Sequence, residues 1–472
     1  MGITSATFVL FVVVTLGVFF GLPRRWQIGW LLLVSYVFCL SWAWQFAVVL
    51  LLLTIANYAL ARRLEGSQQR RRTLLWLGIG LNVLALVYFR SANFFVPQLL
   101  ALWKPLGGDV VQILVPIGLS YYVLELISYQ ADVYRGLITA VTNPIHFALY
   151  LAYFPKLLAG PIERARDFLP RLQQTQVVDN QLIASGLTLI VIGAVRKLLL
   201  ADPMLNALPA EVFTRPWAFS APELWAWLFV YGFALYNDFA GYTSMVRGVS
   251  RLFGIELSPN FAEPYFARNF TEFWRSWHIT LSEWLRDYIY FPLSRSLLRR
   301  RRQRSHWTNV ALPPLTTMLV SALWHGFSGH MLLWGGLHGV YQIGERAIAL
   351  RGPVVPPDKR PWWRQGLAMA IVFILVMLAW VPFRLELPLA LTFWRSLFSW
   401  GEWGFIHRRI VLVVPLVLVS VALDWAQRRG RSETVFLSWP RPVQAALLAI
   451  AIFMLLIVTQ GEGESPFVYQ GF

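Results

Sequence analysis

The stretch NFTEFWRSWHITLSEWLRDYIYFPL (269–293), followed after an arginine-rich loop by TTMLVSALWHGFSGHMLLWGGLHG (316–339), is the part of the chain around which the rest is organised. At about 100° per residue, the first segment predicts one amphipathic helix at a membrane interface. His278 falls on the border between its aromatic and charged faces. The second segment is almost wholly apolar up to His325, which directly precedes a Gly-Phe-Ser-Gly break. A histidine there is an ionisable group at membrane depth, and such groups are functional candidates by default.

The composition indicates an integral membrane protein. Of 472 residues, 57% are hydrophobic and 14% are charged, and the mean hydropathy is +0.54. The net charge of +17 comes from short basic clusters between apolar runs, which favours positive cytoplasmic loops over a nucleic-acid surface. The single cysteine, Cys39, excludes a disulfide framework and a cysteine metal cluster.

The hydropathy pattern predicts an all-α polytopic protein with about 11–13 spans. We expect the first 20 residues to form an uncleaved first span. The further predicted spans lie near 28–42, 44–61, 74–90, 111–128, 182–200, 222–240, 309–325, 331–349, 366–382, 410–426 and 442–460. The segment 146–161, with two prolines and a lysine, is expected to be re-entrant or interfacial. Since no internal repeat or linker is visible, we predict one membrane domain over 1–472, with its core near 110–350.

The distribution of arginines predicts the topology. Arg24 and Arg25 follow the first span, which places that loop in the cytoplasm and the N-terminus outside. Under this parity the basic clusters at 62–72, 164–171, 295–304, 346–364 and 428–431 are also cytoplasmic, and both termini are periplasmic. Arg196 and Lys197 do not fit, and a broken or shifted helix is one explanation of their position.

Polar residues inside apolar spans are the remaining chemical signal, because the chain has no phosphate-binding loop, HExxH helix or GxSxG elbow. These residues are Asn237, Asp238, His325, His338, Gln342 and Glu345. Each has a structural alternative. Asp238 could pair with an arginine of the next loop, and His338, beside three glycines, could hydrogen-bond across a close-packed helix pair. His325 could be a buried structural histidine, whereas the histidines at 146, 306, 330 and 407 are expected to be solvated.

Several long motifs resemble the membrane-bound O-acyltransferase family, above all its bacterial branch of alginate O-acetyltransferases and D-alanyl transfer proteins. They cover most of the chain in the family's order. The motifs are VPIGLSYYVLELISYQADVYRG (115–136), FPKLLAGPIERA (154–165), YNDFAGYTSMVRGVSRLFGIELSPNF (236–261), FWRSWHITLSEWLRDYIYFPL (273–293), LWHGFSGHMLLWGGLHG (323–339), MLAWVPFRLELPLALTFWRSLF (377–398) and PFVYQGF (466–472).

The resemblance implies roles for two histidines. In this family the histidine of the LWHG motif is taken as catalytic, here His325, and that of the WHIT motif is a second important position, here His278. The resemblance also implies a funnel from one side of the membrane to a buried site. It further implies a separate periplasmic acetyltransferase that relays the acyl group to a polymer.

Acyl transfer from a thioester to a hydroxyl needs a general base, a stabiliser of the oxyanion and a route for a charged donor. A desolvated histidine keeps its proton-accepting form, so His325 could be the base, with His278 orienting the donor or carrying a second proton. Arg275 and Arg286 could hold donor phosphates or only anchor the helix to lipid headgroups. The candidate donor-binding residues are Trp274, Arg275, Ser282, Arg286, Asp287, Asn237, Asp238, Trp324 and His338.

These observations predict an acyltransferase of the bacterial inner membrane that acetylates a cell-surface polysaccharide such as alginate. We expect no bound cofactor and no metal, a donor that is acetyl-CoA or an acyl-carrier-protein thioester, contact with membrane lipids, and no nucleic acid. D-alanyl transfer to teichoic acid, or acyl transfer to a lipid or peptidoglycan acceptor, is the alternative substrate class. From another class, a transporter or flippase of an export complex also uses intramembrane polar groups, but would not release thiol from a thioester. A structural scaffold would tolerate loss of His325.

Overall fold

The computed structural model describes residues 1–103, 114–173, 178–301, 305–351, 359–399 and 408–459. Within these ranges the chain is helical and contains no β-strand, and one isolated bridge joins Phe261 to Trp277. The predicted all-α class is therefore confirmed. The C-terminal motif at 466–472 and the histidine at 407 lie outside the described residues.

Six helices in the described ranges are long and apolar enough to cross a membrane, which makes the chain a multi-pass membrane protein. They are Trp44–Gly66, Arg71–Arg90, Asn180–Ala207, Trp362–Arg384, Arg408–Gly430 and Arg441–Val458. Other predicted spans correspond to helices that are shorter or more polar, such as the apolar helix Ala6–Gly21. The higher predicted span count and the orientation of the termini remain predictions.

The contacts divide the chain into two compact units, of which the first comprises residues 1–187 and 246–258. Its helices are α1 (Ala6–Gly21), α2 (Arg24–Leu40), α3 (Trp44–Gly66), α4 (Arg71–Trp103), α5 (Leu119–Arg135), α6 (Pro144–Ala152), α7 (Phe154–Leu157) and α8 (Ala165–Gln173). The single membrane domain predicted from the sequence stays a prediction beside this division.

The segment predicted to be re-entrant forms two short helices, α6 and α7, inside the core of the first unit. Asn143 caps α6 by accepting a hydrogen bond from the Ile145 amide at 2.9 Å. Lys156 pairs with the Glu125 carboxylate at 2.6 Å, and both side chains are 2% exposed. Gly118 has φ 72°, and a Cβ there would lie 1.9 Å from the Leu157 carbonyl oxygen, so only glycine fits. The lysine in this segment is therefore paired inside the protein.

The second unit comprises residues 188–245 and 259–472. Along the chain, α9 (Asn180–Ala194) and α12 (Ala221–Leu252) run from one unit's residues into the other's. The remaining helices are α10 (Asp202–Ala207), α11 (Glu211–Thr214), α13 (Phe270–Ser276), α14 (Ile279–Leu285), α15 (Phe291–Arg301), α16 (Trp307–His325), α17 (Gly329–Ala349), α18 (Trp362–Arg384), α19 (Leu387–Leu397), α20 (Arg408–Gly430) and α21 (Arg441–Thr459). Two π-helical segments, Val195–Ala201 and Arg286–Tyr290, interrupt the regular helices.

The prediction of one continuous helix through His278 is wrong. Helix α13 ends before Trp277, and α14 begins after His278, whose φ of 41° is left-handed. The break pairs with a preceding loop, because the Ile279 amide donates to the Asn260 carbonyl at 2.9 Å and Trp277 bridges to Phe261. Backbone hydrogen bonds to this loop replace those of a continuous helix. His278 is consequently buried at a kink instead of lying on the border of an amphipathic surface.

Arg196 and Lys197 lie in the π-helical segment Val195–Ala201, so the helix is irregular where the sequence placed misfitting charges. Arg196 pairs with Asp424. Lys197 pairs with Asp202 at 2.8 Å and with Asp238 at 2.7 Å. Asp238 is thus an ion-pair partner as expected, with Lys197 as a cation that it contacts. Carboxylates compensate Arg196 and Lys197 inside the protein. The two cations are therefore not loop charges from which the topology can be predicted.

Helices α16 and α17 form an antiparallel hairpin that carries the second half of the opening stretch. Helix α16 ends at His325, and Ser328 caps the start of α17. The two backbones approach closely at Gly335, where a Cβ would lie 2.5 Å from the Met318 carbonyl oxygen. Small residues allow such close contact between membrane helices. The hairpin therefore holds the end of α16 firmly against the middle of α17.

Candidate functional site

Three histidines from different elements are joined by two tryptophans. The rings of His278 and Trp324 are 6.0 Å apart, and Trp324 and His325 are 4.8 Å apart. The centroid of the Trp334 ring lies 5.3 Å from that of His325 and 5.1 Å from that of His338. We call this set the histidine row. It brings together four residues predicted from the sequence, His278, Trp324, His325 and His338.

His278 is held rigidly by the kink between α13 and α14. Its side chain is 1% exposed, and the Phe239 ring contacts it edge-on at 4.9 Å. Burial lowers the pKa of the His278 imidazole to about 3, because desolvation disfavours the imidazolium form. The ring is therefore neutral at physiological pH and can act through its lone pair or its N–H group.

His325 and His338 lie in an aromatic environment at the α16–α17 hairpin. His325 is the last residue of α16, is 6% exposed, and contacts Phe383 of α18 at 5.3 Å. His338 is fully buried. Neither ring nitrogen of His338 has a hydrogen-bond partner among the described residues, so the expected hydrogen bond across the helix pair is not formed there.

A pocket of about 760 Å³ opens beside the row. Among the residues that line it are Trp274, Arg275, Ser282, Arg286, Glu345 and Arg346. This volume is within the usual range for small-molecule sites. Three arginines among the lining residues suit an anionic group with several oxygens, because arginine offers a fork of N–H donors. We call this cavity the arginine pocket.

The charges around the arginine pocket are partly compensated. Glu345 accepts hydrogen bonds from the backbone amides of Phe270 at 2.7 Å and Thr271 at 3.3 Å, at the start of α13. Arg286 contacts Glu283 at 3.4 Å and Asp287 at 3.0 Å. Asp287, a predicted donor-binding residue, therefore contacts a pocket arginine without lining the pocket itself.

Trp274 connects the arginine pocket to the histidine row. It lines the pocket, while its ring lies 5.0 Å from His338 and 6.0 Å from Trp334. Of the predicted donor-binding residues, Trp274, Arg275, Ser282 and Arg286 thus lie in the pocket wall, and Trp324 and His338 lie in the row. The roles that we propose for these six residues rest on their positions in the pocket wall and in the histidine row.

Asn237 and Asp238 are placed in a separate buried network and not in the pocket wall. Asn237 accepts from Arg196 at 3.0 Å and donates to the Ser420 hydroxyl at 2.8 Å. Asp238 pairs with Lys197 at 2.7 Å. These contacts tie helices together, and the expectation that both residues help hold the donor stays a prediction.

Three residues that the sequence reasoning missed belong to the site. Trp334 joins two histidines of the row, and Arg346 adds a third guanidinium to the pocket. Phe273 stacks on His338 at 6.1 Å. Arg346 lies eight residues after His338 on α17, so helical spacing could have predicted that both side chains lie on the same side of that helix. Nothing in the sequence distinguished Trp334 from the other tryptophans, of which the chain has 23 in all.

Among the described residues, no group of three or more His, Cys, Asp or Glu side chains could hold a metal ion.

Comparison with known proteins gives a family match and several relatives. Residues 66–384 match the family model described as MBOAT, membrane-bound O-acyltransferase family. The chain is 36% identical to a probable alginate O-acetylase of Azotobacter vinelandii over 84% of this chain and 77% of the relative. It is 31% identical to a probable alginate O-acetylase of Pseudomonas putida over 98% of this chain and 97% of the relative. A peptidoglycan O-acetyltransferase of Helicobacter pylori shares 29% identity over 75% of this chain and 70% of its own.

Proposed function

The chain belongs to the membrane-bound O-acyltransferase family, and we propose that it transfers acetyl groups from a thioester donor toward a cell-surface polysaccharide. It is an acyltransferase by its family, as the sequence predicted. The relatives named alginate O-acetylases support the acetyl group and the polysaccharide class. Alginate or a related exopolysaccharide is the acceptor polymer that we propose.

The observation that carries the proposal is the contact of one tryptophan, Trp274, with both the arginine pocket and the histidine row. A phosphate-bearing donor needs cationic donors at its polar end and an apolar, dry environment at its reacting end. The pocket supplies Arg275, Arg286 and Arg346. The row supplies His325, buried among aromatic rings.

In the proposed reaction His325 is the general base. Its ring nitrogen takes the proton of the acceptor hydroxyl while the hydroxyl oxygen forms a bond to the thioester carbonyl carbon. The tetrahedral intermediate collapses with cleavage of the C–S bond, and the proton passes to the departing sulfur, so that a thiol leaves. His278 is neutral and can orient the donor or offer its N–H to the oxyanion. Its contact with Trp324 fixes its ring relative to His325.

The donor that we propose is acetyl-CoA or an acyl-carrier-protein thioester, because both join a phosphate group to a long arm that ends in the thioester. The arginine pocket, of about 760 Å³, supplies cationic groups for the phosphates of either donor. We expect neither a bound cofactor nor a metal, and the free energy of thioester cleavage drives the transfer.

We further propose that the protein works in the bacterial inner membrane and passes the acetyl group outward. Thioester donors are made in the cytoplasm, and the positive-inside rule places the arginine-rich segment at 295–304 on that side. Both termini are then periplasmic. A hydrated polymer chain would not enter a buried histidine row. The hydroxyl that His325 deprotonates therefore belongs to a periplasmic acetyltransferase partner, which relays the acetyl group to the polymer.

The test compares polysaccharide acetylation in a deletion strain, and in strains complemented with wild type, His325→Ala or His146→Ala. His146 lies at the start of α6, outside the site, and is the matched control. We expect acetylation to be lost in the deletion and His325→Ala strains and restored by the other two. In purified protein, thiol release from acetyl-CoA should fall at least about a hundredfold in His325→Ala, with membrane insertion and thermal unfolding close to wild type.

Two outcomes would count against the proposal. If His325→Ala protein fails to accumulate or unfolds, the histidine is structural. If the deletion leaves polysaccharide acetylation unchanged but alters acylation of peptidoglycan or teichoic acid, the alternative acceptor class is correct. The peptidoglycan O-acetyltransferase relative favours this alternative among acceptors.

A further inference from the structure

We infer that His338 binds the donor's arm, with its ring N–H donating a hydrogen bond to an amide carbonyl of the thioester between the arginine pocket and His325. This inference rests on the proposed function for the identity of the donor. It adds a third histidine to the site, in a binding role distinct from that of the base.

The first argument is the burial of a polar ring without partners. His338 is fully buried, and its Nδ1 and Nε2 atoms make no hydrogen bond within the described parts of the chain. Burying a polar group without a hydrogen bond costs about 1–3 kcal/mol, and the large majority of buried side-chain polar atoms have a hydrogen-bond partner. A phenylalanine would fill the same space more cheaply. Packing alone therefore does not account for a histidine at this position.

The second argument is the enclosure that fixes the ring. Phe273 lies parallel to it at 6.1 Å and 8°. Trp274, Trp334 and Tyr341 surround it at 5.0, 5.1 and 5.7 Å, with steep interplanar angles. These contacts leave the imidazole little freedom to turn toward another protein group. N–H groups can point at aromatic faces, but such contacts are weak compared with a hydrogen bond to a carbonyl.

The third argument is the position of His338 in the site. Trp274 contacts it on the side of the arginine pocket, and Trp334 contacts both it and His325. The indole Nε1 of Trp274 is also buried without a hydrogen-bond partner in the described structure. Two rings with centroids 5.0 Å apart thus each carry an N–H group without an acceptor, and one carbonyl oxygen, which has two lone pairs, can accept from both. Amides in the arm of a pantetheine-type thioester provide such carbonyls.

The test combines two variants with two donors. His338→Phe keeps an aromatic ring in the enclosure and removes both nitrogens, and His146→Phe is the same change outside the site. Acetyl-CoA contains amides in its arm, whereas S-ethyl thioacetate is a thioester without amides. Thiol release is measured for each combination in detergent-solubilised protein, together with CoA binding and thermal unfolding.

We expect His338→Phe to raise the KM for acetyl-CoA about tenfold, to leave turnover of S-ethyl thioacetate unchanged, and to leave unfolding at or above the wild-type temperature. The His146→Phe protein should match wild type throughout. Equal losses with both donors, or no loss with either, would overturn the inference and leave a packing role. If wild type binds CoA but does not release thiol from acetyl-CoA, the proposed function fails, and weaker CoA binding by His338→Phe still supports the inference. Absence of CoA binding in wild type would overturn both.

Discussion

The close contact between α16 and α17 predicts opposite effects for two adjacent glycines. A Cβ at Gly335 would lie 2.5 Å from the Met318 carbonyl oxygen and 2.7 Å from the Ala322 Cβ, whereas a Cβ at Gly336 would meet nothing within 4 Å. Both residues are helical and undergo the same chemical change to alanine. Gly336→Ala is therefore the matched control for Gly335→Ala.

The magnitude follows from the contact distances. Carbon atoms pack at about 3.5–4.0 Å, so relief of the Gly335→Ala contacts requires the two helices to separate by roughly 1 Å. Forcing an extra methyl into a packed interface costs about 1–3 kcal/mol, while alanine gains about 1 kcal/mol over glycine in a helix. We expect Gly335→Ala to be destabilised by up to about 2 kcal/mol and Gly336→Ala to be neutral or more stable.

The effect on activity should exceed the effect on stability. His325 ends α16, and Trp334 and His338 lie on α17, so a separation of the helices changes the spacing inside the histidine row. A displacement of about 1 Å can lower a rate by 10²-fold. Thiol release from acetyl-CoA and thermal inactivation half-lives of both variants would measure this. Equal activity in Gly335→Ala and Gly336→Ala would refute the reasoning, because the contact would then not set the geometry of the row.

Two further predictions concern buried charge. Lys197→Met should destabilise the fold by about 3–5 kcal/mol, because it removes the buried cation that pairs with Asp238 and Asp202. Adding Asp238→Leu should restore part of that loss. Equilibrium unfolding in mixed micelles measures both variants, and no difference between the single and the double variant would contradict the ion-pair role. Burial lowers the folded-state pKa of His278 to about 3. Below pH 6.5 the unfolded chain therefore binds more protons at this residue than the folded chain does. The free energy of unfolding should fall by about 1.4 kcal/mol per pH unit as the pH drops from 6.5 toward 3. His278→Asn should lower the pH midpoint of acid unfolding, and an unchanged midpoint would show that this group does not set it.

The sequence was sufficient to predict the fold class, because apolar runs and family motifs are local signals. It also pointed to His278, His325 and His338 as candidates, and the structure brings them together through two tryptophans. The partner of Arg196 is a feature that the sequence could not predict. Its partner Asp424 is 228 residues away, and no periodicity links them. The kink at His278 is another example, since it depends on hydrogen bonds to the loop around Asn260. Helical spacing alone predicted a continuous helix there because it counts only neighbours along the chain.

The candidate site shows the same difference between local sequence signals and contacts with distant residues. Arg275 and Arg286 were predicted from their place in a basic aromatic segment, and both lie in the pocket wall. Asn237 and Asp238 were predicted from their cost in an apolar span, yet that cost is met by Ser420 and Lys197. A buried polar residue signals that a partner exists. Whether the partner belongs to the protein or to a ligand is decided only by tertiary contacts.

The left-handed backbone at His278 affects how any mutagenesis of this residue must be designed. Alanine at φ 41° keeps the strain of that conformation while losing the ring contacts that hold it, so a loss of activity in His278→Ala would mix local unfolding with loss of chemistry. Asparagine tolerates the left-handed region better than most residues, and glycine adopts it without penalty. A series of Asn, Gly and Ala at this one position therefore separates the imidazole's part in acyl transfer from its part in shaping the chain.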